Sequence, residues 1–222
     1  VQDPYSFRCI PQVHGATMNA LNHIGQVIAN ERNSVTDNPN IFVEEDMVIS
    51  GGNFHAQPLA FASDYLCLAA AELGSISERR LYLLISGLRG LEPFLTTKPG
   101  LQSGFMIAQY TAASIVSMNK QLASPSSVDS IVSSNGQEDH VSMAANAGVK
   151  VWQIVNNVAT VLAIEWQAAA QAVEMKDYPI SSKLRAYLNA YRKHVSFLDQ
   201  DRPLQPDFEK TKAFFNEINW FA

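Results

Sequence analysis

The sequence is sparing in several features at once, and each shortage excludes something. Only two cysteines, Cys9 and Cys67, occur in 222 residues, and their separation matches no metal-binding pattern. They are expected as free thiols in a reducing compartment, and a cytoplasmic location is the corresponding expectation. Lysine and arginine never gather into a block, and the formal net charge is −5. That balance argues against nucleic acid and membrane surfaces as partners. No uninterrupted apolar run reaches the roughly 18 residues of a membrane helix, and the opening residues carry no signal-peptide pattern. There is no His-Glu-x-x-His pair for zinc and no metal site is expected; no nucleophile elbow and no Ser/His/Asp arrangement stand out. Alternating strand patterns are nearly absent. Charged residues are also few, at 17%, against 47% hydrophobic. That supplies ample core and argues against disorder. It also raises the expectation that much surface is covered, by a partner subunit or by further chain. The chain opens inside a turn and without Met, so it is expected to be a piece of a longer protein.

What remains is helical patterning. Asp3-Pro4 reads as a helix start, with Asp3 as cap and Pro4 at the first helical position. Pro11 begins a second helix, with Val13, Thr17, Leu21, Ile24 and Ile28 forming an apolar stripe. The turn chemistry of Asn33–Asn40 stops it. A short hairpin is expected around Glu44-Glu45-Asp46, joining Ile41-Phe42-Val43 to Met47-Val48-Ile49. A long helix starts at Pro58 and runs to about Leu84, through Phe61, Tyr65, Leu68, Leu73 and Ile76. Gly87 to Gly104 is a connection, and Phe105 to about Leu122 a further helix. Ser124 to Glu138 is a long polar loop. Asp139 to about Val173 is helical, with Trp152, Val155, Val158, Leu162 and Trp166 at helical spacing. Shorter helices follow at about 181–198 and 206–217. The fold class is all-α, a bundle of long helices, and residues 1–222 are expected as one helical domain.

Three places carry potential chemistry. Tyr5 and Arg8 share a face if residues 4–8 make a helical turn. A cation beside a phenol favours its ionised form, a tyrosinate can act as a base, and a guanidinium grips a carboxylate in a fork. The plainer alternative is a capped surface turn. Ser50-Gly51-Gly52-Asn53-Phe54-His55 suits close approach of backbone to a ligand, or simply a tight loop entering a helix. No Lys-Ser/Thr follows, so it is not a phosphate loop. Gln137-Glu138-Asp139-His140 places two carboxylates and an imidazole at a helix start, where they either meet an NH-bearing ligand or cap the helix. His14, His23 and His194 are isolated and read as structural.

Taken in order, Gln2-Asp3-Pro4-Tyr5-Ser6-Phe7-Arg8-Cys9-Ile10-Pro11-Gln12-Val13, Asp37-Asn38-Pro39, Ser50-Gly51-Gly52-Asn53-Phe54-His55-Ala56, Ser103-Gly104-Phe105-Met106-Ile107-Ala108-Gln109 and Gln137-Glu138-Asp139-His140-Val141-Ser142-Met143 say more. The sequence resembles the histidine ammonia-lyases of the aromatic amino acid lyase family, and Leu162-Ala163-Ile164-Glu165-Trp166 fits too. The resemblance covers most of this chain but only the C-terminal part of the family protein. It implies a fumarase/aspartase-like helical fold, a homotetramer, and conversion of L-histidine to trans-urocanate with loss of ammonia. It also implies a methylidene-imidazolone (MIO) electrophile formed from an internal Ala-Ser-Gly. No such tripeptide occurs in this chain, so the group is expected outside it and the chain alone is expected to be inactive.

By the same resemblance, Tyr5 is the base or its close partner, and Arg8 binds the substrate carboxylate. Gln2 is a polar site residue, Phe54 lines the pocket near the prosthetic group, and Glu138 binds the imidazole. A carboxylate suits an imidazole NH and would be left unpaired by a phenyl ring, which favours histidine as substrate. Two other readings stay open: a related tyrosine or phenylalanine ammonia-lyase or aminomutase, and a non-catalytic helical module that self-associates.

Overall fold

A computed structural model describes residues 2–176, 178–218 and 220. Seven α-helices occur among them: α1 (Tyr5–Arg8), α2 (Ile10–Arg32), α3 (Gln57–Ile85), α4 (Met106–Leu122), α5 (Ala144–Lys176), α6 (Ser182–Tyr191) and α7 (Gln205–Glu217). The one sheet among the described residues is the antiparallel hairpin of β1 (Asn40–Phe42) and β2 (Met47–Ile49), with Ile41 opposite Val48. The all-α expectation holds, and the hairpin and the ends of α3 and α4 fall within about a residue of their expected places.

Two helix starts differ from the sequence reading. Pro4, not Asp3, caps α1, and its carbonyl accepts from the amides of Phe7 and Arg8, each at 3.0 Å. The Asp3 carboxylate is drawn instead to Arg89, 2.5 Å away. Helix α5 begins at Ala144 rather than Asp139. Between them the Val141 amide and carbonyl are both bonded to the Ser130 hydroxyl, and the His140 carbonyl to His55, which holds that stretch out of helical geometry.

The chain divides into two compact units. One comprises Val1–Ile10, Leu73–Met118 and Asn156–Ala222; the other comprises Pro11–Glu72 and Asn119–Val155. The core of the first joins Leu81 and Ile85 of α3 to Phe105 just before α4, to Ala112 within α4, and to Val161, Ile164 and Ala168 of α5, with Leu198 and Phe208 closing it. A second cluster gathers Trp166, Leu188, Tyr191, Val195 and Phe214. There Tyr191 bonds Thr211 at 2.9 Å, and burial pushes its phenol up to about 12. In the other unit Ala20 and Ile24 of α2 meet Ala62 and Ala69 of α3. Small side chains let those two backbones approach closely.

The apolar stripes read from the sequence are only partly internal: Thr17, Ile24, Ile76 and Val158 are buried. Phe61, Leu68, Trp152 and Val155 are exposed by about half or more, and Leu21 and Ile28 also face outward. The reason is that α3 and α5 are apolar nearly all round. Periodicity picks out the large residues, while the neighbours select the faces rich in alanine. By length and hydropathy alone both helices could cross a bilayer. Within α3, however, Asp64 and Glu78 are buried charged residues, and both are bonded by other side chains.

The connection before α4 is tightly held at Gly104. Gly104 has φ +51°, and a Cβ there would sit 2.3 Å from the Phe94 carbonyl oxygen. The amides of Ser103 and Gly104 donate to the two oxygens of Asp201, at 2.7 and 2.9 Å. Gly104→Ala is expected to lower unfolding stability by about 3 kcal/mol, combining left-handed strain with a backbone clash. Gly136→Ala (φ +87°, open space around it) should lose only about 1 kcal/mol. Urea unfolding of the two variants measures the difference.

Candidate functional site

The N-terminal turn is short because Pro4 starts it and Pro11 cannot sit in its interior. Within it the Arg8 guanidinium lies over the Tyr5 ring, 4.7 Å from the centroid. The expected shared face is therefore present. Arg8 also donates through Nη1 to Oε1 of Gln2. A guanidinium has five N–H donors, so most of Arg8 stays open to a ligand. Tyr5 is 70% exposed. Arg89 braces the turn from a distance, pairing with Asp3 and lying 5.9 Å from the centre of the Phe7 ring. Sequence reasoning missed Arg89. Its signal was its place between Gly87 and Gly90, which both take positive φ, as does Arg89 itself.

The other unit brings together three segments that are far apart in sequence. The Asn38 side-chain oxygen accepts from the Ser50 hydroxyl at 2.9 Å and from the Gly51 amide at 3.0 Å. The Asp37-Asn38-Pro39 stretch thus holds the glycine loop, whose next residues are Asn53, Phe54 and His55. Phe54 is exposed and flanks an open cleft with Ile28, Arg32, Thr36 and Leu59. His55 then reaches the third segment: its Nε2 lies 3.0 Å from the His140 carbonyl oxygen, and the two imidazoles stack.

Glu138 ends a tight loop. Ser134, Asn135 and Gly136 all have positive φ, and Ser133 and Glu138 exchange backbone bonds of 2.9 and 3.3 Å. The Ser130 hydroxyl donates to the Val141 carbonyl and accepts from the Val141 amide. The Glu138 carboxylate itself is exposed. The loop begins at an anchor that the sequence did not reveal. Buried Asp64 accepts from the Ser127 amide at 2.7 Å and from Lys150 Nζ at 3.0 Å, and Lys150 also bonds the Ser124 carbonyl. Burial pushes the Asp64 carboxyl up, but the bonds from Ser127 and Lys150 outweigh it and hold the carboxyl below its ordinary value.

The five residues expected at a site therefore lie in two groups: Gln2, Tyr5 and Arg8 in one unit, Phe54 and Glu138 in the other. Of the remaining motif residues, Phe105 is fully buried and Gln109 bonds the buried Glu78 at 2.8 Å, so that stretch builds core. Glu165 is gripped by both arms of Arg80 and by Ser77. His23 contacts Tyr65, and His194 lies against Phe214. Cys9 and Cys67 are free thiols.

A family model described as aromatic amino acid lyase matches residues 1–193. A histidine ammonia-lyase from Symbiobacterium thermophilum is 55% identical over 210 residues, which is 94% of this chain and 41% of that protein. Another from Photorhabdus laumondii is 51% identical over 214 residues, again 94% and 41%. Among solved structures, histidine ammonia-lyase from Trypanosoma cruzi matches with a TM-score of 0.92 at 38% identity, over 97% of this chain and 43% of that one. Tyrosine aminomutase from Streptomyces globisporus matches with a TM-score of 0.91 at 35% identity, over 97% and 43%. The chain thus spans about two fifths of the length of the relatives it matches.

The Asp64 anchor makes a measurable contribution. Its folded pKa lies below the ordinary 3.8. The stability it adds is therefore present above that value and is lost as pH falls through the folded pKa. Asp64→Asn leaves Lys150 without its counter-charge and should lower stability by about 3 kcal/mol at pH 7. In urea melts the gap between variant and parent should narrow steadily below about pH 4.

Proposed function

The chain belongs to the aromatic amino acid lyase family, and on that premise we propose that it is the C-terminal part of a histidine ammonia-lyase. The intact protein would eliminate ammonia from L-histidine to give trans-urocanate, in histidine degradation. The observation that carries this reading is the Gln2–Tyr5–Arg8 cluster on a braced turn, joined by relatives about half identical over nearly all of the chain.

The reaction removes a proton from the carbon beside the imidazole and the amine from the next carbon, leaving a double bond between them. Arg8 grips the substrate carboxylate with the donors that Gln2 leaves open. Tyr5, held against Arg8, takes the proton. Two prolines and the Arg89 brace fix the turn in advance, so little freedom is lost when substrate binds. Glu138 accepts a hydrogen bond from the imidazole NH, which a phenyl or phenol side chain lacks. A bound methylidene-imidazolone supplies an electrophile toward the substrate. This chain has no Ala-Ser-Gly from which to form it; its contribution there is the exposed ring of Phe54 beside an open, partly apolar cleft, which suits a flat neighbour. On this reading the chain alone is inactive, and the site is completed by the rest of the polypeptide and by neighbouring subunits of a homotetramer. The exposed apolar faces of α3 and α5 support such covering.

The likeness to tyrosine aminomutase favours one competing reading, an enzyme acting on another aromatic amino acid. The turn would serve equally there, since the carboxylate and amine are the same.

Ultraviolet absorbance of urocanate tests the proposal. Product is expected from L-histidine when the chain is joined to the remainder of the polypeptide, and none from the chain alone. Preference of the joined protein for tyrosine or phenylalanine would overturn the choice of substrate. In the active protein Glu138→Gln should lower kcat/KM for histidine about 100-fold, the scale of a lost charged hydrogen bond, with little change in melting temperature.

A further inference from the structure

The contact between His55 and His140 has a defined chemistry. Nε2 of His55 lies 3.0 Å from the His140 carbonyl oxygen and 3.3 Å from Nδ1 of His140. A carbonyl oxygen only accepts, so the His55 proton sits on Nε2. The rings stack at 5.4 Å between centroids with planes 22° apart, which fixes the direction of approach.

The bond to the carbonyl completes a pattern. Glu138 has both its amide and its carbonyl bonded to Ser133. Val141 has both bonded to the Ser130 hydroxyl. Between them the His140 carbonyl is taken by His55. Ser133 and Ser130 belong to the same loop and would move with it. His55 is 85 residues away and follows Phe54 directly, so it alone of the three ties this segment to a separate part of the unit. An exposed carbonyl can take its hydrogen bond from water, so the histidine is not needed merely to satisfy it. Its effect is to order the backbone that carries Glu138.

We propose that His55 is a positioning residue for Glu138, its imidazole clamping the backbone beside that carboxylate and coupling it to the loop that carries Phe54. The proposal rests on the functional reading above in assigning Glu138 to the substrate. It predicts a binding effect, because a loosened Glu138 must be ordered again each time the imidazole is bound.

The test uses the intact lyase with His55→Ala and His55→Gln, and reads both steady-state kinetics and amide hydrogen exchange. His55→Ala should raise KM for L-histidine about tenfold with kcat within about threefold, the scale of one neutral hydrogen bond. His55→Gln, whose side-chain N–H can reach the same carbonyl, should recover most of that loss. Exchange at the Glu138 and Val141 amides should quicken about tenfold in His55→Ala and stay near the parent rate in His55→Gln. Unchanged exchange at those two amides, loss of protection throughout the protein, or a fall in kcat at constant KM would each overturn the proposal. If the parent enzyme releases no urocanate, the functional reading has failed, and the exchange measurement still decides whether the clamp exists.

Discussion

Irregular backbone must find hydrogen-bond partners, and here side chains from distant positions supply them. Helices satisfy their own amides and carbonyls; the connections between them cannot. Asn38 takes Ser50 and Gly51, Asp64 takes Ser127, and Asp201 takes Ser103 and Gly104. Buried Gln171 bonds both the amide and the carbonyl of Leu198. Each of these side chains acts as a substitute for a missing strand or helix neighbour. The loops are therefore fixed without being regular.

Much of this was legible in the sequence, though unevenly. The hairpin and the spans of α3 and α4 followed from apolar spacing and from turn residues, which are local signals. The start of α5 was misplaced because Asp139 looks like a cap, whereas its neighbours are held by Ser130 and Ser133 across a loop. The facing of the helices was misread for a different reason. Phe61, Trp152 and Val155 are conspicuous apolar residues yet lie exposed, whereas Leu81, Ile154, Val161, Ile164 and several alanines are buried. Hydrophobicity shows which residues avoid water and not which neighbour removes them from it.

The site itself divides in the same way. Tyr5 and Arg8 are three residues apart, so a single turn of helix was enough to place one over the other. The Asp3–Arg89 pair spans 86 residues and the His55–His140 contact 85. No period or motif links such positions, and only the folded chain reveals that Arg89 braces the turn. Motif order in the sequence pointed to the residues proposed to meet a substrate. The residues that hold those in place became visible only in three dimensions.

Asn38 carries a further consequence, for the chemical lifetime of the fold. A side-chain amide that anchors a loop through one oxygen is vulnerable in principle to slow hydrolysis. The usual route is attack on that amide by the backbone nitrogen of the following residue, which closes a five-membered imide. The following residue here is Pro39, whose nitrogen carries no hydrogen and already bears three carbon substituents. That route is shut at Asn38, so the oxygen holding Ser50 and Gly51 belongs to an asparagine that ages slowly. Asn135, followed by Gly136 in the exposed loop before Glu138, has no such protection. The two asparagines therefore mark opposite extremes of chemical durability within one unit of the protein.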